Sequence, residues 1–232
     1  MALITFMKTM NAKIMPDLLD IARFFACVKS MKKQTSDIVP NQESGKAIDA
    51  VSSVELADEN DARNLFEDVR KRLQNVKEWK RYAGNLSAEF QLVDTNGMEV
   101  QREPAKGDYL KIDIPGPGSK SGDGFDWVRI EEIVSTSTPD SESFGFRVRP
   151  TENPHDIERE TAHFYSNEST SSFIVARTGN KVTASVHDRN TKPNTEAGRP
   201  GDKIRDVVVG TAGALTFSKL QWKNLTDGLL NL

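Results

Sequence analysis

His163 and His187 are the side chains in this sequence best suited to proton transfer or metal binding. Both fall in segments that alternate apolar and polar residues, 161–166 and 181–188, where His163 shares a face with Tyr165 and His187 with Thr183 and Ser185. On adjacent strands the two would form an acid/base pair. No carboxylate or third ligand stands at a fixed spacing from either, and a closed zinc site needs four ligands. The spacing therefore assigns no catalytic residue and no metal, and histidines at a strand rim are the plain alternative. Arg147, alternating outward with Arg149, is a candidate clamp for a carboxylate, or else one rung of a ladder of cross-strand pairs with Lys111, Asp113, Arg129 and Glu131. Trp127 and Trp222, with Trp79, are candidates to line a ligand cavity, or equally the largest available core residues.

Other patterns carry less. The stretch 115–124, PGPGSKSGDG, offers glycines and Lys120 to an anion. A phosphate loop of the P-loop type needs a helix directly after it, whereas a strand with Trp127 follows here, so a hairpin loop or a lid over a pocket fits better. Asp123 and Asp126 lack the distal glutamate of a calcium loop and read as turn formers. No Gly-x-Ser-x-Gly elbow occurs, and the single cysteine, Cys27, excludes an intramolecular disulfide framework and any zinc site built on several cysteines. The formal net charge of −3 and the absence of a basic stripe with interleaved aromatics disfavour nucleic acid as a partner. No run of 18 apolar residues is present to span a membrane as a helix. The expected setting is a soluble, cytoplasmic protein without a cofactor.

These residues need elements to hold them. Of the 232 residues, the first 47 read as a leader and linker: five of the six methionines lie in the first 31 positions, and PDLLDIARFFACV suits an amphipathic helix. That segment reads as a dispensable extension, a docking helix or a targeting element, and translation from Met31 is a further option. Residues 48–232 form a single α+β domain. A strand at 48–56 precedes a helix over 58–82, with Asp58 as N-cap, Ala62, Leu65, Phe66, Val69, Leu73 and Val76 as its apolar stripe, and Gly84 as its stop. Strands follow at 87–93, 108–114, 127–135, 143–149, 161–166, 171–177 and 181–188. Their one-sided alternation, without intervening helices, predicts an antiparallel sheet with one face covered. A last helix over 202–230 would carry the stripe Ile204, Val208, Ala212, Leu215, Trp222, Leu225, Leu229, and Gly210 and Gly213 would mark a close approach or a kink.

The segment VSSVELADENDARNLFEDV followed by Trp79, and the closing segment KIRDVVVGTAGALTFSKLQWKNLTDGLL, resemble the START-like (SRPBCC) helix-grip superfamily over about residues 48–230. The resemblance implies a curved antiparallel sheet packed on a long C-terminal helix, with an apolar or amphipathic molecule held between them. Members bind lipids or hormones, catalyse cyclisation, or serve as partner-binding domains, so fold alone leaves function open. The expected function is binding of a small apolar ligand without chemistry, at Trp127, Arg147, His163, Tyr165, His187 and Trp222, in a cavity of ~300–1,000 Å³. The alternatives are a protein–protein interaction or structural domain with a solid core, and an acid/base enzyme using His163 or His187.

Overall fold

The computed structural model describes residues 38–85, 87–115, 122–155, 161–194 and 212–231. Seven strands form one antiparallel sheet: β1 (Lys46–Glu55), β2 (Glu89–Val93), β3 (Tyr109–Asp113), β4 (Asp126–Thr138), β5 (Ser141–Pro150), β6 (Thr170–Thr178) and β7 (Lys181–Thr191). Their spatial order is β1-β7-β6-β5-β4-β3-β2, so β1 crosses over to pair with the last strand while the rest form a meander. The helical segment α1 (Glu59–Gln74) and α2 (Trp79–Ala83), and the closing helix α3 (Ala212–Leu230), cover the inner face. The architecture is α+β, a curved antiparallel sheet gripping a C-terminal helix.

Alternation explains the layering. Phe144, Phe146 and Val148 on β5, Phe173 and Val175 on β6, and Val182, Ala184 and Val186 on β7 all point inward and join one core with Phe66, Val69, Leu73, Trp79, Trp222, Leu225 and Leu229. Asp58 caps α1, its Oδ1 accepting from the backbone of Asn60 at 2.8 Å and Asp61 at 2.9 Å. The expected helix over 58–82 is interrupted. Asn75 leaves helical geometry (φ −89°, ψ 74°), and a 3-10 turn, Val76–Glu78, leads into α2. The interruption lets Trp79 turn into the core, where its indole N–H donates to the Leu73 carbonyl at 3.0 Å. Gly84 ends α2 at φ 91°, a conformation open to glycine.

Two expectations change. Residues 161–166 are not a strand: they make only isolated bridges, Glu152↔Thr161 and Tyr165↔Pro193. Ala162, His163, Phe164 and Tyr165 are all buried, and their backbone makes no continuous ladder with a neighbouring strand. Side chains supply the missing partners, as Tyr165 N–H donates to His163 Nδ1 at 2.9 Å and Phe164 N–H to Asp126 Oδ2 at 3.3 Å. Second, the polar stretch before β1 is held down from Ile38 onward. Ile38 is buried, and its carbonyl accepts from Ser172 Oγ at 2.8 Å and from Arg147 at 3.3 Å. The leader helix, the start of the closing helix at 202–211 and the glycine loop at 116–121 lie outside the described residues, as does the surrounding of Gly213.

Candidate functional site

The strand β7 carries its inward alternation one step past the apolar residues. After Val182, Ala184 and Val186, the next inward position is Asp188, which is 1% exposed. A carboxylate there faces α3 rather than water. Trp222 of α3 meets it, with the indole N–H donating to Asp188 Oδ2 at 2.9 Å. The other oxygen, Oδ1, is buried and has no hydrogen-bond partner among the described residues. Burial pushes the Asp188 carboxyl up to about 6, against the opposing pull of Ser171, Trp222 and Arg189. An unsatisfied buried acceptor costs ~1–3 kcal/mol, more when charged, so this oxygen is a costly feature of the fold.

Asp188 lines a small recess at the seam between sheet and helix. Phe90, Leu110, Val128 and Phe173 provide its apolar floor, Phe217, Ser218, Gln221 and Trp222 one wall, and His163, Phe164 and Tyr165 the other. Tyr165 Oη lies 3.4 Å from Ser218 Oγ, and burial raises the phenol far above its ordinary range, so it stays protonated. His163 accepts at Nδ1 from the Tyr165 backbone N–H at 2.9 Å. Gln221 Oε1 fixes the start of β2 by accepting from Ala88 N–H at 3.0 Å.

The recess measures about 40 Å³. That is far below the ~300–1,000 Å³ expected between sheet and helix. Aromatic rings have taken the space: Trp79 lies 4.7 Å from Phe173 and 5.0 Å from Phe90, and Trp222 meets Phe173 edge-on at 5.2 Å. A dry cavity of about 150 Å³ admits benzene, so the recess as it stands holds water and little more. Larger hollows lie outside, including an open one of about 520 Å³ between Lys46, Lys219, Leu220 and Lys223.

Of the six residues singled out from the sequence, the structure brings His163, Tyr165 and Trp222 together at this recess. The other three point to the outer face. Trp127 packs with Val93 and Ala162 and donates to the Gly122 carbonyl at 3.2 Å. Arg147 binds Glu131 Oε2 at 2.9 Å and Glu132 Oε2 at 3.1 Å, because a bulge in β4 presents both glutamates to it. His187 lies between Asp49 Oδ1, 2.5 Å from Nδ1, and Ser185 Oγ, 3.1 Å from Nε2. That order resembles a charge relay. Ser185 sits mid-ladder between Val51 of β1 and Ile174 of β6, so neighbouring backbone donors are engaged in the sheet and leave no oxyanion hole. His163 and His187 lie on opposite faces of the sheet and make no acid/base pair. Burial would raise the Asp49 carboxyl, but hydrogen bonds and charge from His187 and Arg189 hold it below its ordinary range.

Asp188, Ser171 and Ser218 were not singled out from the sequence. The signal was present in Val182-x-Ala184-x-Val186-x-Asp188, a carboxylate in phase with an apolar face. Among the described residues no cluster of three or more His, Cys, Asp or Glu side chains is placed to hold a metal, and no helix is long and apolar enough to cross a membrane.

No protein-family model matches the chain, and no curated protein matches it. Several solved structures align with most of the chain at low identity. A hypothetical protein from Helicobacter pylori aligns at 11% identity over 82% of this chain and 91% of its own, with a TM-score of 0.43. Ara h 8.0201 aligns at 13% identity over 81% and 100%, TM-score 0.31. A major latex-like protein from Panax ginseng aligns at 12% identity over 74% and 97%, TM-score 0.28. At these identities no function carries across.

Proposed function

We propose that this domain binds a small amphipathic molecule at the seam between the sheet and α3, without chemistry. The supporting observation is Asp188 Oδ1, a buried carboxylate oxygen left without a partner at the end of an apolar recess. Such a group is costly to fold around and is satisfied by a ligand or by trapped water. Because the recess holds only about 40 Å³, a ligand must displace a side chain from the α3 wall, and Phe217, half-buried at that wall, is the one to yield.

Native mass spectrometry on protein from its own source tests this. A reproducible extra mass of a few hundred daltons, lost on denaturation, is the expected result. A clean apo mass, together with no binding by a small-molecule panel, overturns it.

The small recess also favours a second function, that of a structural or protein–protein interaction domain with a solid core. The described surface gives it little to dock with: the large exposed apolar residues, Val51, Met98 and Leu220, lie on β1, on the β2–β3 connection and on α3.

A further inference from the structure

We propose that the group received by Asp188 is a protonated amine, so that the domain selects compact aromatic or aliphatic amines over alcohols and acids. This rests on the binding function above and adds the chemical class of the ligand. The unpartnered Oδ1 belongs to a carboxylate that no cationic side chain among the described residues hydrogen-bonds on the inner face. Arg189, next in sequence, sends its guanidinium to the other side, to Asp49 at 2.8 Å and to the carbonyls of Ile48 and Asp188. His163, facing the recess from the 161–165 segment, uses Nδ1 to accept a backbone N–H, and Tyr165 stays protonated. α3 lends the wall Phe217, Ser218, Gln221 and Trp222, none of them charged.

An ammonium supplies what is missing. It brings one positive charge and three donors, and the recess offers the Asp188 oxygen with hydroxyls of Ser171 and Ser218 as acceptors. Amine and alcohol can both hydrogen-bond to the carboxylate, but only the ammonium adds a full opposite charge in a poorly screened medium, which separates the two. The rings of Phe164, Tyr165 and Trp222 add cation–π attraction. A carboxylate ligand would meet a like charge in a medium where repulsion is poorly screened.

The test titrates the full chain at pH 7.5 with four probes sharing one ring: benzylamine, benzyl alcohol, toluene and benzoate. Phe217→Ala is run beside the wild type to make room independently of helix movement. Benzylamine is expected to bind Phe217→Ala roughly tenfold or more tightly than benzyl alcohol, with benzoate weakest. Adding Asp188→Asn should remove the amine preference while toluene and benzyl alcohol still bind, which shows that the recess has kept its fold. Equal affinity for amine and alcohol, or a preference that survives Asp188→Asn, overturns the amine assignment and leaves the binding function standing. A carried molecule without a basic nitrogen in the native mass spectrum does the same. Failure of all four probes together with a clean native mass overturns both, and makes the recess a site for trapped water.

Discussion

Trp222 Nε1 donates to one oxygen of Asp188 at 2.9 Å and leaves the other without a hydrogen-bond partner, so the indole is the donor that α3 supplies to a buried carboxylate. The arrangement has a consequence for stability. In the folded protein Asp188 titrates at about 6, against 3.8 as its ordinary value. Between those two values the folded chain keeps a proton that the unfolded chain has shed, so this group's contribution falls as pH rises from about 4 to about 6 and is flat outside that window. At 1.36 kcal/mol per unit the change is about 3 kcal/mol. Asp188→Asn removes the titration. Urea unfolding of both proteins from pH 4 to pH 7 should show the wild type losing about 3 kcal/mol relative to the variant. The carboxylates of Asp49, Glu131 and Asp227, held below their ordinary range, act in the opposite sense, but both proteins share them. A pH-independent difference would mean that Asp188 is not a buried titrating group.

Trp222→Phe isolates the indole N–H. Phenylalanine keeps most of the contact with Phe173 and Phe90 but leaves both Asp188 oxygens without a donor from α3. The expected loss at pH 7 is about 2–4 kcal/mol, part cavity and part uncompensated charge. The charge part should return at pH 4, where Asp188 is protonated. A loss that is the same at both pH values would assign the whole effect to packing.

The alternation that places most of this site is readable in the chain. The apolar phases of β3, β5 and β7 are clean, and the stripe Trp222, Leu225, Leu229 marks the buried face of α3. The segment 161–166 alternates on paper and misleads, because backbone N–H groups there are taken by side chains of His163 and Asp126 instead of a neighbouring strand. A residue pattern records which side of a strand is apolar, not whether a second layer covers the other side. Asp188 escaped notice for a related reason. Its phase was legible, but its cost depends on Trp222 landing above it from 34 residues away in sequence. The recess volume is further still from the sequence, since it depends on how the rings of Trp79, Phe90 and Phe173 interdigitate.

Away from the recess, Arg177 ties two turns together. Fully buried, it donates to Glu142 Oε2 at 2.7 Å, to the Gly179 carbonyl at 2.8 Å and to the Pro139 carbonyl at 3.2 Å, joining the β4–β5 and β6–β7 turns. Arg177→Met leaves the half-buried Glu142 carboxylate with only the more distant Arg63 as a cation and takes a donor from the Gly179 carbonyl, and should cost about 2–3 kcal/mol in denaturant. Glu142→Gln keeps an acceptor and should cost about 1–2 kcal/mol. Equal losses from the two variants would show that the ion pair, not the carbonyl clamp, is what stabilises the turns.

Gly228 sits in the anchored C-terminal end of α3, packed against α2. A Cβ there would lie 2.2 Å from the Tyr82 carbonyl oxygen of α2, closer than any real contact. Intrinsic helix propensity alone would make Gly228→Ala stabilising by about 1 kcal/mol. The clash with rigid backbone outweighs it, and a net loss of about 1–3 kcal/mol is expected. This end of α3 is also pinned by Arg72, which donates to the Leu229 carbonyl at 2.6 Å, and by the Ser52–Thr226 hydroxyl pair at 2.8 Å. The recess lies toward the other end, at Phe217–Trp222. If the helix opens there while staying fixed at its C-terminal end, Gly228→Ala lowers stability in a denaturant titration yet leaves the affinity of Phe217→Ala for benzylamine unchanged. An affinity that falls in step with stability would mean that α3 moves as one rod, and that access to Asp188 depends on the Gly228–Tyr82 contact as well.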